Sequence, residues 1–192
     1  MQLDPNLLTR AEGLTRLAEF VPRAGRAYAT TRNTDPGPDA LGGVSGLSPW
    51  LKRRVLSERE VVDAVLDAHA PSSCEKFVQE VFWRSYFKGW LEHRPQVWGS
   101  YQTGLAADRD ASGADPDLAR ALAGETGIDA FDAWVRELRA TGHLHNHARM
   151  WFASIWIFTL RLPWRLGADF FLSELLDGDA ASNTLSWRWA LM

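Results

Sequence analysis

Apolar residues recur every three and four positions along most of this chain, a spacing that helices satisfy and strands do not. Leu14, Leu17, Ala18 and Val21 form one such run, and Val61, Val62, Val65 and Leu66 form another. Sustained period-two alternation is scarce, so no sheet is expected. Ser57 followed by Glu60 is a capping box opening the helix that carries Val61 to Ala68, and Pro71 closes that segment. Glycine and proline punctuate two stretches. Arg32 to Gly46 contains Pro36, Gly37, Pro38, Gly42, Gly43 and Gly46 and is expected as a long loop. Gly99 to Pro116, with Gly104, Asp108, Asp110, Gly113 and Asp115, is expected as a second loop, or equally a flexible tether, between earlier and later helices. The later helices are expected from about Gly127 to Thr141, His147 to Leu160 and Trp164 to Leu176, with turns at Gly142 and Pro163. No internal repeat is visible.

At 192 residues the chain is long enough to bury a real core in one domain. Its 46% hydrophobic and 23% charged residues exclude disordered, collagen-like and disulfide-scaffold classes. Lys and Arg number 21 against 24 Asp and Glu, a net charge of −3, so nucleic-acid contact requires a local patch. Cys74 is the only cysteine, which rules out an intrachain disulfide and a thiolate zinc site and makes the cytoplasm the expected compartment. Met1 to Phe20 lacks a signal peptide's apolar run. Trp151 to Leu160 is about half the roughly 20 residues of a membrane helix and is expected as a buried helix, so no membrane partner follows. Ten tryptophans are the unusual feature, concentrated between Trp83 and Trp189.

Few residues point to chemistry directly. Asp177-Gly178-Asp179 with Asn183 places two carboxylates and an amide around a glycine turn, suited to polar ring atoms or a cation, or equally to a capped turn. His143, His145 and His147 alternate, and residues two apart on a helix diverge, so no metal site is expected. No nucleophile–base–acid arrangement, P-loop or dinucleotide fingerprint is present.

Ordered motifs carry more. Thr126-Gly127, Leu144-His145-Asn146-His147-Ala148-Arg149-Met150, Trp164-Arg165-Leu166-Gly167-Ala168, Leu176-Asp177-Gly178-Asp179-Ala180-Ala181-Ser182-Asn183 and Trp187-Arg188-Trp189 follow one another. Upstream stand Tyr28 with Arg32, Ser45-Gly46-Leu47-Ser48-Pro49-Trp50-Leu51 and Glu80-Val81-Phe82-Trp83-Arg84. Together they resemble the FAD-binding half of the photolyase/cryptochrome family, over roughly Tyr28 to Trp189. The resemblance implies an all-α fold, a single helical FAD-binding domain over residues 1–192 that is truncated at both ends relative to the family.

The resemblance also implies roles. Asp179 would accept the flavin N3 proton, Asp177 would pair with Arg149 beside the ring, and Asn183 would face flavin N5. Tyr28, Ser45, Leu47 and Ser48 match the segment that binds the FAD phosphates, and Phe77 falls where a flavin-contacting Trp is common. Trp187 and Trp164 match the first two tryptophans of the family's electron path, while the place of the third, within Ala111 to Ala121, holds none. Trp134, Trp151 and Trp156 are the candidate substitutes. Glu80, Trp83, Arg84, Asn146, Met150 and Trp189 match the lining of the lesion pocket in dimer-splitting enzymes, with Arg32 and His147 as further DNA contacts. Asn146 and Met150 resemble the cyclobutane-dimer branch, because the (6-4) branch usually carries His there. Arg23, Arg26, Arg32, Lys52, Arg53 and Arg54 are a phosphate-binding rim or a solvated face.

Several positions depart from the family. Val44-Ser45-Gly46 replaces Thr-Ser-Arg, Ser85 a Glu, His143 a Trp and His147 an Arg. Only Ala190, Leu191 and Met192 follow the Trp-Arg-Trp segment, and no antenna domain is present, so no antenna chromophore is expected and a homodimer or covering partner would close the open wall. The implied activity is FAD-dependent, light-driven repair of pyrimidine dimers in UV-damaged single- or double-stranded DNA. A cryptochrome-like blue-light sensor without repair is the alternative, and a helical scaffold that no longer binds flavin is the third.

Overall fold

In a computed structural model, residues 8–37 and 42–190 are described. Residues 38–41 of the expected Arg32–Gly46 loop, Pro38 among them, lie outside that set, as do the first seven residues and Leu191 and Met192 of the terminal segment. The described residues form α-helices and no strand. The helices are α1 (Arg10–Phe20), α2 (Arg26–Thr31), α3 (Ser48–Lys52), α4 (Glu58–Ala68), α5 (Pro71–Glu92) and α6 (Pro95–Ser112). They continue with α7 (Pro116–Ala123), α8 (Asp129–Thr141), α9 (Asn146–Ser154), α10 (Trp164–Glu174) and α11 (Ala180–Trp189). A π-helical turn, Ile155–Thr159, extends α9. The chain divides into two compact units at Tyr86 and Phe87, each with its own core.

In the first unit α1 buries Gly13, Leu17 and Phe20 and leaves Leu14 and Ala18 exposed, one position off the face that the apolar spacing marks. The reason is Trp50. A Cβ at Gly13 would stand 2.5 Å from its ring, so only glycine admits the indole, whose N–H donates to the Thr9 carbonyl at 2.9 Å. Thr9 also caps α1 through its hydroxyl. The Ser57–Glu60 capping box forms as expected. Pro71, expected only as a stop, is the first residue of α5, where its missing N–H costs nothing.

The second unit corrects the expected loop at Gly99 to Pro116. Residues 99–112 belong to α6, which buries Tyr101 and Leu105. Gly104 lies against Arg165 of α10, so close that a Cβ would collide with the guanidinium stem. Asp108 accepts from Arg165 at 3.0 Å and Arg109 donates to Asp169 at 2.7 Å, so the turn-forming residues are used in helix packing. Asp132, buried on α8, accepts from Thr126 N and Oγ1 at 3.0 and 2.7 Å and from Gly127 N at 2.9 Å. Burial opposes its charge, yet these donors outweigh it and hold the carboxyl below its ordinary range. The Trp151–Leu160 stretch is buried on one face only, with Phe152 and Trp156 inside and Trp151 and Phe158 exposed. At Gly167 any Cβ would meet the Trp187 ring and would lie 3.0 Å from the Trp156 ring.

Two outcomes follow from these contacts. Gly167→Ala is expected to lower unfolding stability by about 1–3 kcal/mol, because neither ring is free to withdraw, and urea titration reads it. Arg10 and then Ser57 donate to Glu60 and bring its carboxyl from 4.5 to about 2. A depressed folded value contributes stability above pH 4.5 that is lost as the pH falls toward about 2. The slope of stability against pH over that window is expected to flatten in Glu60→Gln, and an unchanged slope would show that other carboxylates carry it.

Candidate functional site

Leu175 to Asp179 form the turn between α10 and α11. Gly178 donates to the Leu175 carbonyl at 2.9 Å, and a Cβ there would lie 3.0 Å from the Leu172 oxygen and 3.2 Å from that of Leu175. Asp179 is the N-cap of α11: its Oδ1 accepts from Ser182 N at 2.9 Å while the residue is only 5% exposed. Its Oδ2 stands 3.9 Å from Lys88 Nζ. One turn on, Asn183 donates one amide hydrogen to the Ala168 carbonyl at 2.7 Å, leaving its second hydrogen and its oxygen for another partner. Arg149 Nη1 lies 3.8 Å from Asp177 Oδ1, and Arg149 Nε donates to the Leu144 carbonyl at 2.8 Å. Residues 144–150, 164–168 and 176–183 are thereby tied into one polar cluster. Ser182 Oγ and Thr184 Oγ1 are buried beside it without a hydrogen-bond partner.

That donor set fits the polar edge of an isoalloxazine ring. Such an edge offers an N–H and presents carbonyl oxygens and a ring nitrogen, which a carboxylate, an amide and a guanidinium match in turn.

On α9, Asn146 and Met150 lie four residues apart on one exposed face, with Met150 62% exposed. His147 is half-buried. His145 is buried and caps α9, its Nδ1 accepting from His147 N at 3.2 Å, and the two rings stack with centroids 5.7 Å apart. Trp187 is buried, Trp164 is half-buried and both belong to the same aromatic core, while Trp189 is exposed.

In the first unit Tyr28 and Phe77 meet edge to face at 5.2 Å and both pack on Phe20. Burial, and then the Glu80 carboxylate, push the Tyr28 phenol above its ordinary value against the opposing effect of Arg32. Arg32 and Glu80 form an ion pair. Trp83 is exposed and stands edge to face with Tyr86 at 5.4 Å, and Arg84 is half-buried on the same helix. Ser45 Oγ accepts from Leu47 N at 3.3 Å, Leu47 is buried, and Ser48 opens α3. At five residues α3 has a weak dipole. Lys88 is the member of the polar cluster that sequence reasoning missed, since nothing in the spacing relates it to Asp179.

A family model for the FAD binding domain of DNA photolyase matches residues 77–191, and the chain belongs to that family. It is similar to the deoxyribodipyrimidine photo-lyase of Alkalihalophilus pseudofirmus, 30% identical over 97% of this chain and 38% of that protein. It is likewise 37% identical to that of Streptomyces griseus, over 92% of this chain and 39% of the relative. Among solved structures it is similar to a class III photolyase from Agrobacterium tumefaciens, with TM-score 0.78, 28% identity and coverage of 95% of this chain and 38% of that one. A Synechocystis cryptochrome gives TM-score 0.76 at 28% identity, again over 95% of this chain and 38% of the other. The chain thus spans about 38% of the length of the first of these relatives. No helix among the described residues is long and apolar enough to cross a membrane.

Because Asp179 caps α11, its replacement has a structural cost distinct from any ligand effect. Asp179→Ala is expected to lose about 1 kcal/mol of stability in urea titration, and Asp179→Asn, which keeps an oxygen for Ser182 N, distinctly less. Equal losses would assign the effect to the charge beside Lys88 instead.

Proposed function

We propose that this chain binds FAD and uses it for light-driven transfer of one electron to a flipped pyrimidine dimer in UV-damaged DNA, which then splits. The observation that carries the reading is the Asp179 carboxylate, held by the α11 cap one turn before an Asn183 amide and grouped with Arg149 and Asp177. FAD, when bound and reduced, would supply the photoexcitable electron donor, and the electron would return to it once the dimer has split. Asp179 orients the ring by accepting at its N3 edge, Arg149 and Asp177 fix the charge beside it, and Asn183 presents a neutral amide toward N5. Tyr28, Ser45, Leu47, Ser48 and Phe77 serve the rest of the cofactor. Glu80, Asn146 and Met150 contact the lesion, and Trp83 and Trp189 offer exposed indole faces whose stacking offsets the few kcal/mol of base extrusion. Arg84 lines the lesion pocket, and Arg32 and His147 supply further DNA contacts.

A sensor without repair is the second reading, and the Arg32–Glu80 pair favours it. Each charge is satisfied by the other and is less available to a lesion or a phosphate.

Purified protein is expected to carry about one FAD per chain, to bleach under blue light with a thiol, and then to restore a dimer-containing oligonucleotide. Asp179→Ala is expected to purify without colour and Asp179→Asn to retain part of its flavin. Bound flavin without repair would select the sensor, and a colourless wild-type protein would remove both readings.

A further inference from the structure

The rings of Trp164, Tyr101 and Trp98 form a ladder that leads from the core of the second unit to its surface. Trp164 and Tyr101 have centroids 5.8 Å apart at 42°, and Tyr101 and Trp98 are 5.2 Å apart at 32°. Trp98 and Tyr101 sit three residues apart on α6, which puts them on one helix face. Tyr101 is 4% exposed, whereas Trp98 is half-buried at the rim of the same core. We infer that Trp98 is the terminal electron donor of this chain, delivering through Tyr101 to Trp164, which packs against the aromatic core that holds Trp187. The inference rests on the FAD reading above.

The candidate substitutes Trp134, Trp151 and Trp156 offer no such route. Trp156 lies 6.3 Å from Trp187 but is 0% exposed, and its N–H is held by the Pro163 carbonyl at 3.0 Å, so an oxidised Trp156 has no water to receive its proton. Trp134 and Trp151 make no ring-to-ring contact among the described residues. Two features drive the positive hole outward along the ladder. The Arg165 guanidinium sits over the Trp164 ring at 5.2 Å and disfavours positive charge there, an effect tempered by Asp108. The Tyr101 hydroxyl is buried without a hydrogen-bond partner, and burial pushes its pKa up to about 12. With no hydrogen-bonded acceptor for its proton, Tyr101 is a poor resting place for the hole and acts as a bridge.

The step balances simply. One electron leaves the Trp98 indole for the photoexcited oxidised flavin, and the indole N–H proton goes to water. A thiol then returns a hydrogen atom to the Trp98 radical, and two thiyl radicals combine as a disulfide.

The test uses the full chain with its bound flavin, under blue light and with a small thiol. Trp98→Phe is expected to keep its flavin content and to bleach more slowly by on the order of tenfold, with loss of the transient tryptophanyl radical signal in electron paramagnetic resonance. Tyr101→Leu is expected to behave like Trp98→Phe, while Tyr101→Phe, which keeps a ring in the gap, retains most of the rate. Trp90→Phe serves as the control and is expected to match the wild type. A second readout is independent of bleaching: after illumination in air without thiol, peptide mass mapping is expected to place added oxygen on Trp98 rather than Trp164. Unchanged bleaching and radical yield in a yellow Trp98→Phe protein, or oxygen on Trp164, would overturn the ladder alone. Wild-type protein without flavin would overturn the FAD reading, and the ladder with it.

Discussion

The indole of Trp187 occupies the space where a side chain at position 167 would begin. Without a Cβ on Gly167 the ring reaches the backbone of α10, where it also meets Phe171 at 5.1 Å and Trp156 at 6.3 Å. This one approach fixes how α11 lies on α10, and with it the polar cluster. Asn183 precedes Trp187 by four residues on the same helix face, and its amide is anchored on Ala168, the residue after Gly167. Asp179 begins that helix and the Gly178 turn feeds it. Apolar packing and site geometry are here the same set of contacts, so a change in either is felt in both.

How far the sequence reveals this depends on the range of the forces involved. Helical class and the Ser57–Glu60 cap are local and legible, because spacing and a three-residue reach define them. The α6 helix is not legible: its glycines and aspartates have the composition of a turn, and their partners, Arg165 for Asp108 and Asp169 for Arg109, lie 57 and 60 residues away. The buried face of α1 is displaced for a similar reason, since the small residue Gly13 meets the largest side chain of that core. The Asp177–Asn183 turn is visible as composition, but its chemical meaning came from motif order, and the place of Lys88 beside Asp179 came only from the fold.

Charge sets a further constraint on any nucleic-acid role. With a net charge of −3, attraction to phosphates depends on cations that are not already compensated. Arg32 is paired with Glu80, Arg109 with Asp169 and Arg165 with Asp108, so part of the positive charge is internal. Large apolar side chains are also exposed, Trp83 in the first unit and Met150 and Trp189 in the second.

The two ion pairs that hold α6 against α10 also shape the aromatic ladder. Arg165 is fixed over Trp164 because Asp108 holds one end of its guanidinium and Gly104 leaves room for its stem. The same guanidinium therefore stabilises the helix pair and biases where positive charge rests among the rings. Tyr101, between Trp164 and Trp98, is set by the packing of α6 and not by a hydrogen bond of its own. The helix α6, most of whose length reads in composition as a tether, thus carries both Tyr101 of the core and Trp98 at its rim.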